Sequence, residues 1–129
     1  MQSPDAAKKF IAVLKRKSAA LSGVEAWVAP SAVLLPGLKG VKLGGQSVSA
    51  YPEGAHTGEV SAAMLKASGA TFCIVGHSER RAAGETAELI HQQLVRVAEA
   101  GMAPVLCVGE HERTPEGTHF TAIEEQLSS

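Results

Sequence analysis

The sequence predicts an α/β fold of about four parallel strands with flanking helices, and three observations carry that prediction. The runs Phe72–Gly76 and Pro104–Val108 are continuously apolar, as strands covered on both faces of a parallel sheet are. Amphipathic helical stretches separate the strands at roughly 30-residue intervals in the two longer units, which is the spacing of right-handed βαβ crossovers. Polar or glycine-rich sequence follows the carboxyl end of each strand, where parallel folds carry their functional loops.

Ser3 can cap a first helix with Pro4 in its first turn, and Ala7, Phe10, Ile11, Leu14, Ser18 and Leu21 then recur at helical spacing up to a stop near Ser22-Gly23. Val24–Ala29 reads as a strand closed by Pro30, and Ser31–Leu38 as a short helical turn broken at Pro36-Gly37. A second strand is expected over Val41–Gln46. Gly58–Ala67 reads as a helix with Val60, Ala63 and Met64 inward, stopped at Gly69. After the third strand, Phe72–Gly76, Thr86 caps a helix whose stripe is Leu89, Ile90, Leu94, Val97 and Ala98, closed by Gly101. Pro104–Val108 is the fourth strand and Gly117–Leu127 the helix after it, all within a single domain spanning 1–129.

Composition narrows the function classes. Lys+Arg of 12 against Asp+Glu of 13, with no basic block, argues against a nucleic-acid partner. No apolar run approaches the ~20 residues that span a bilayer, so no membrane partner is expected. The start, Met1-Gln2-Ser3-Pro4-Asp5, lacks the regions of a secretory signal. Cys73 and Cys107 sit within strands and outside any Cys-x-x-Cys pair, and both read as reduced core residues of a cytoplasmic protein. With no Asn and a single Asp, Asp5, carboxylate chemistry falls to Glu.

The densest chemistry follows the third strand, in Gly76-His77-Ser78-Glu79-Arg80-Arg81. His77 opens a helical turn, where free N–H groups and the positive dipole end disfavour a charged ring. The plain alternative is a histidine that only caps the turn. Glu79 reads either as a second catalytic carboxylate or as the partner of a nearby arginine. Ser78, Arg80 and Arg81 read as orienting or structural, the arginines tying loops through bidentate contacts to Glu110, Glu59 or Glu85. The loop Glu53–Glu59 is too polar to be buried within its own subunit, and Thr57 can cap the following helix.

Other motifs are weaker. His111-Glu112-Arg113-Thr114-Pro115 has a proline where a second metal ligand belongs, and His91 stands alone, so no metal is expected. Gly-x-Gly-x-x-Gly and Walker loops are absent, and no cofactor is expected. A Cys107–His77 nucleophile pair is disfavoured by the expectation that Cys107 faces the core.

Gly76-His77-Ser78-Glu79-Arg80-Arg81, with Gly58-Glu59-Val60-Ser61 upstream and Val105-Leu106-Cys107-Val108-Gly109-Glu110 downstream, closely resembles the triose-phosphate isomerase family in order and spacing. The resemblance implies part of a (β/α)8 TIM barrel, not closed in this chain, from the family's first helix to the helix after its fifth strand. It also implies interconversion of dihydroxyacetone phosphate and D-glyceraldehyde 3-phosphate in glycolysis and gluconeogenesis, with a phosphorylated triose as substrate. Within that likeness His77 is the electrophile that polarises the carbonyl, and Glu79 a supporting carboxylate. Thr57 and Glu59 become contacts of a homodimer, an edge-paired oligomer being the alternative. The family's lysine and asparagine on strand one, its glutamate base and lid after strand six, and its phosphate-gripping loops match nothing here. Of the catalytic residues only His77 is carried over, so the chain alone is expected to be inactive.

Departures from the family pattern are specific. Two residues separate Arg81 from Gly84-Glu85 where three are usual, the stretch between Glu110 and Arg113 is shortened, Ser47 replaces an asparagine, and His56 replaces an aromatic residue. A divergent copy and a fragmentary gene product both accommodate them. Two other functions stay open: a non-catalytic interaction protein that pairs with itself or with a complete isomerase, and a doubly wound sheet that binds a phosphorylated metabolite.

Overall fold

The computed structural model describes residues 3–20, 23–110 and 118–128, the side chains of 118 and 119 aside. Helix α1 (Pro4–Ser18) begins where the Ser3 hydroxyl accepts from the Ala6 N–H at 3.2 Å, with Pro4 filling a position that needs no donor. Lys15, Arg16 and Lys17 complement the negative end of its dipole. Ala7 and Ile11 are buried and Leu14 is half-buried, as their spacing predicts. Phe10 is not inward but 49% exposed, on a flank of α1 that none of the described elements covers. The helix ends at Ser18, short of the expected stop, and Leu21 and Ser22 lie outside the described residues.

Strands β1 (Trp27–Val28), β2 (Lys42–Gly45), β3 (Phe72–Val75) and β4 (Ala103–Leu106) form one parallel sheet in the order β1-β2-β3-β4. The sheet is unclosed, with β1 and β4 as its edges. β1 is shorter than the six-residue strand expected, and only a three-residue 3-10 turn, Ala32–Leu34, stands in the crossover to β2.

Helix α2 (Ala62–Ala67) starts at Ser61, whose hydroxyl accepts from the Met64 N–H at 3.2 Å. The inward face also differs from the one expected from sequence. Ala62 and Leu65 are buried, while Ala63 is exposed and Met64 is 54% exposed. A short α3 (Ser78–Ala82) follows β3, then α4 (Ala87–Glu99), capped by Thr86 as predicted through the Leu89 N–H at 3.3 Å. In α4, Ile90, Gln93 and Val97 are buried, Leu89 and Leu94 half-buried, and Ala98 is turned outward. Helix α5 (Thr118–Ser128) completes the chain, and the expected start at Gly117 lies outside the described residues. Among the described residues, no helix is long and apolar enough to cross a membrane.

Strand alternation divides the side chains between two faces. Val28, Leu43, Cys73 and Val75 meet the helices in a core with Ile11, Leu65, Ile90 and Val97. Each fully buried aliphatic side chain there contributes roughly 1.5–3 kcal/mol. On the opposite face, the Trp27 ring lies 4.9 Å from that of Phe72, and the Lys42 ammonium sits 4.7 Å above Trp27. β4 departs from the buried strand expected, since Ala103, Pro104 and Val105 are all exposed. Its edge position is the reason. The N–H groups of Ala103 and Cys107 bond Thr71 and Val75, so the missing donor of Pro104 faces the free edge, where proline is tolerated.

Cys73 is fully buried, and desolvation, helped by the negative charge of Glu85, pushes its thiol up to about 12. An unfolded thiol ionises near ~8.5, so above that pH the unfolded chain binds fewer protons than the folded one. Stability present below the unfolded value is therefore lost as pH rises toward 12. Urea midpoints measured from neutral to alkaline pH should fall more steeply for the native sequence than for Cys73→Ala. Parallel slopes would contradict this.

Candidate functional site

β3 reaches the carboxyl edge of the sheet at Gly76, and His77 is the next residue. Gly76 has φ +70°, a left-handed conformation that favours glycine in this turn. His77 caps α3, its Nδ1 accepting from the Glu79 N–H at 3.3 Å. A ring nitrogen that accepts carries no proton, which puts the neutral ring's N–H on Nε2. Glu79 Oε2 lies 3.8 Å from the same Nδ1, beyond hydrogen-bond reach, on a side chain that is 88% exposed. The capping role is thus present, and it occupies one ring nitrogen and leaves the other.

The arginines have separate roles. Arg80 donates from Nε to Oε1 of Glu85 at 2.8 Å, its Nη2 lies 2.8 Å from the same oxygen as an ion pair, and Gln93 Nε2 donates to that oxygen at 3.0 Å. The pairing is with Glu85 as expected, but through one oxygen and not as a two-oxygen fork. Oε2 of Glu85 is buried with no hydrogen-bond partner among the described residues. Arg81 instead donates to two backbone carbonyls, Gly76 at 2.8 Å and Cys107 at 3.1 Å, and so joins the carboxyl ends of β3 and β4. Arg81→Met should cost about 2–3 kcal/mol, since two part-buried, charge-assisted bonds disappear and leave their carbonyls short of a donor. A urea midpoint unchanged from that of the native chain would show the clamp to be idle.

His77, Ser78, Arg81, Cys107, Glu110 and Gln126 line a cavity of about 280 Å³ at the ends of β3 and β4. Cys107 is half-buried and belongs to this cavity, in contrast to the core position expected for it. A second cavity, of about 320 Å³, brings Gln46, Ser47, Ser49 and Glu59 together with Arg80 beyond β1 and β2. His91 is exposed on α4, and His111–Pro115 lies outside the described residues.

Thr57 and Glu59 are exposed on the loop before α2. Thr57 does not cap that helix, because Ser61 does. The loop is organised by His56, whose ring stacks on Tyr51 at 4.5 Å and 12°, and whose carbonyl accepts from the Glu59 N–H at 3.0 Å.

Sequence reasoning missed two residues. Gln126 clasps Gly109 through both amide groups, at 3.0 and 2.9 Å, and fixes α5 to the chain leaving β4. Gln93 is buried beneath the Arg80–Glu85 pair. A signal existed for Gln93, a polar residue at helical spacing between Ile90 and Val97.

Comparison with known proteins accounts for this arrangement. The family model described as triosephosphate isomerase matches residues 1–129. Triosephosphate isomerase from Thermus thermophilus is 46% identical over 116 residues, covering 84% of this chain and 46% of its own length. That from Deinococcus radiodurans is 40% identical over 133 residues, covering 98% of this chain and 54% of its own. The crystal structure of triosephosphate isomerase from Bartonella henselae superposes with a TM-score of 0.77 at 32% identity, over 92% of this chain and 53% of that one. The chain thus spans about half the length of the curated relatives it matches.

Proposed function

The chain belongs to the triosephosphate isomerase family, and from that premise we propose that its site serves the interconversion of dihydroxyacetone phosphate and D-glyceraldehyde 3-phosphate through an enediolate. One observation carries the reading. The His77 ring lines a cavity at the carboxyl end of β3 with Nδ1 tied to the Glu79 N–H, which leaves Nε2–H to donate. A base removes the proton from the carbon beside the substrate carbonyl, and the Nε2–H hydrogen-bonds the carbonyl oxygen as negative charge develops on it. Ser78 and Arg81 hold the turn that aims the ring, Arg80 braces it through Glu85, and Glu79 is a supporting carboxylate. On this reading the family's base and lysine have no counterpart in this chain, and the chain alone is expected to be inactive. Thr57 and Glu59 serve as contacts of a cytoplasmic homodimer.

The test is a graft. Residues 24–110 replace the matching segment of the Thermus thermophilus relative, and isomerisation is followed with a coupled dehydrogenase. The reading expects turnover by the graft and none by the chain alone. A folded graft without turnover would refute it. The exposed, ordered loop around Thr57 also favours a second reading, a non-catalytic partner of a complete isomerase. Light scattering that shows no complex with such an enzyme would remove it.

A further inference from the structure

The chain is nearly neutral as a whole but not along its length. Residues 1–42 hold seven of the twelve Lys and Arg and only two of the thirteen Asp and Glu, so the excess of acid lies wholly beyond them. Of those seven cations, Lys42 is taken up by Glu25 at 3.0 Å. The other six, Lys8, Lys9, Lys15, Arg16, Lys17 and Lys39, are exposed and form no ion pair or side-chain hydrogen bond with any described residue.

Three of the six converge. Lys8 and Lys15, two turns apart on one face of α1, and Lys39, in the turn that leads to β2, line a cavity of about 290 Å³. Ile11 and Leu38, both buried, form its apolar part, Ala12 and Gly37 complete the lining, and no carboxylate belongs to it. The Lys15 stem is laid across the same turn, since a Cβ at Gly40 would lie 3.0 Å from its Cδ and 3.5 Å from its Nζ. The ammonium therefore sits over the turn although no described acceptor binds it there. The dipole of α1 favours cations in its last turn, which accounts for Lys15, Arg16 and Lys17. It accounts neither for Lys8, in the first half of the helix, nor for Lys39, outside it.

We infer that this cavity binds a small polyvalent phosphate anion. A concave surface lined by one sign of charge holds a potential that attracts counter-ions, and three ammonium groups suit several negative charges in one compact ligand. Lysine acts as a mobile point charge, so the site selects charge density and sets no planar geometry of the kind arginine imposes on a carboxylate. The volume is near the lower bound of small-molecule sites and accommodates a short chain of phosphates. A nucleic-acid backbone calls instead for a basic stripe, and these three cations surround one hollow. The cavity shares no residue with the two that hold His77 and Glu59 beyond the strand ends.

Binding is measured by titrating inorganic tripolyphosphate into the nitrogen-15-labelled chain in ~0.05 M salt, where exposed charges are only partly screened. The amide signals of Gly37, Lys39 and Gly40 should shift together, while those of Gly76 and Gly109, beside the His77 cavity, stay in place. Lys8→Gln, Lys15→Gln and Lys39→Gln combined should weaken binding at least ~tenfold, whereas the same loss of charge through Lys9→Gln, Arg16→Gln and Lys17→Gln should cost less than ~threefold. Equal losses in the two triple variants would mean that net charge alone attracts the anion, and would overturn the inference. Shifts centred on Gly76 and Gly109, or no shift at ~1 mM tripolyphosphate, would do the same. Should either variant fail to fold by circular dichroism, the pattern of shifts in the native chain decides alone.

Discussion

His77→Gln in the grafted barrel is expected to lower kcat by ~10²–10⁴-fold, the range of a well-placed acid–base or oxyanion donor, with a smaller change in KM. The split follows from when the bond matters. A hydrogen bond to a carbonyl in the ground state strengthens as that oxygen becomes an enediolate, so most of its contribution belongs to the transition state. Glutamine keeps an acceptor for the Glu79 N–H and so preserves the cap that His77 provides at 3.3 Å. What it lacks is a rigid N–H directed from the far side of a ring. Loss of the cap alone would cost about 0.5–2 kcal/mol of stability and little turnover, so measuring kcat and the urea midpoint on the same variant separates the two roles. A rate within about threefold of the unmutated graft would leave His77 as a capping residue only.

The fold was legible where local chemistry and packing agree. Ser3-Pro4 and Thr86 mark helix starts through side-chain acceptors, and the structure places both caps as the sequence implies. The inward face of α2 was not legible, because Ala63 and Met64 are as apolar in sequence as Ala62 and Leu65, the pair that the structure buries. Phe10 and β4 were misjudged for another reason. An apolar residue looks the same in sequence whether its neighbour is present or missing, and both lie at the rim of an unclosed sheet. At the site, the order Gly76-His77 was readable as a strand-end turn. The Arg81 bonds to two carbonyls and the Gln126 clasp on Gly109 were not, since backbone acceptors leave no trace in side-chain identity.

Gly44→Val should damage the sheet severely, destabilising the chain by about 3 kcal/mol. A Cβ at Gly44 would lie 2.5 Å from two carbons of the Phe72 ring, closer than side-chain carbons approach. The ring is poorly placed to yield, since it is buried at 4% exposure with Trp27 packed 4.9 Å away and the β3 backbone in register behind it. Glycine at this point is therefore a packing requirement and not a conformational one. The claim is open to a double-mutant cycle, because the cost resides in one pair of side chains. Phe72→Ala alone leaves a cavity worth about 3–5 kcal/mol. Combined with Gly44→Val, the added methyl groups refill part of that space, and the double variant should be more stable than the sum of the two single losses predicts. Strict additivity would mean that the strand backbone, and not the ring, resists the substitution at position 44.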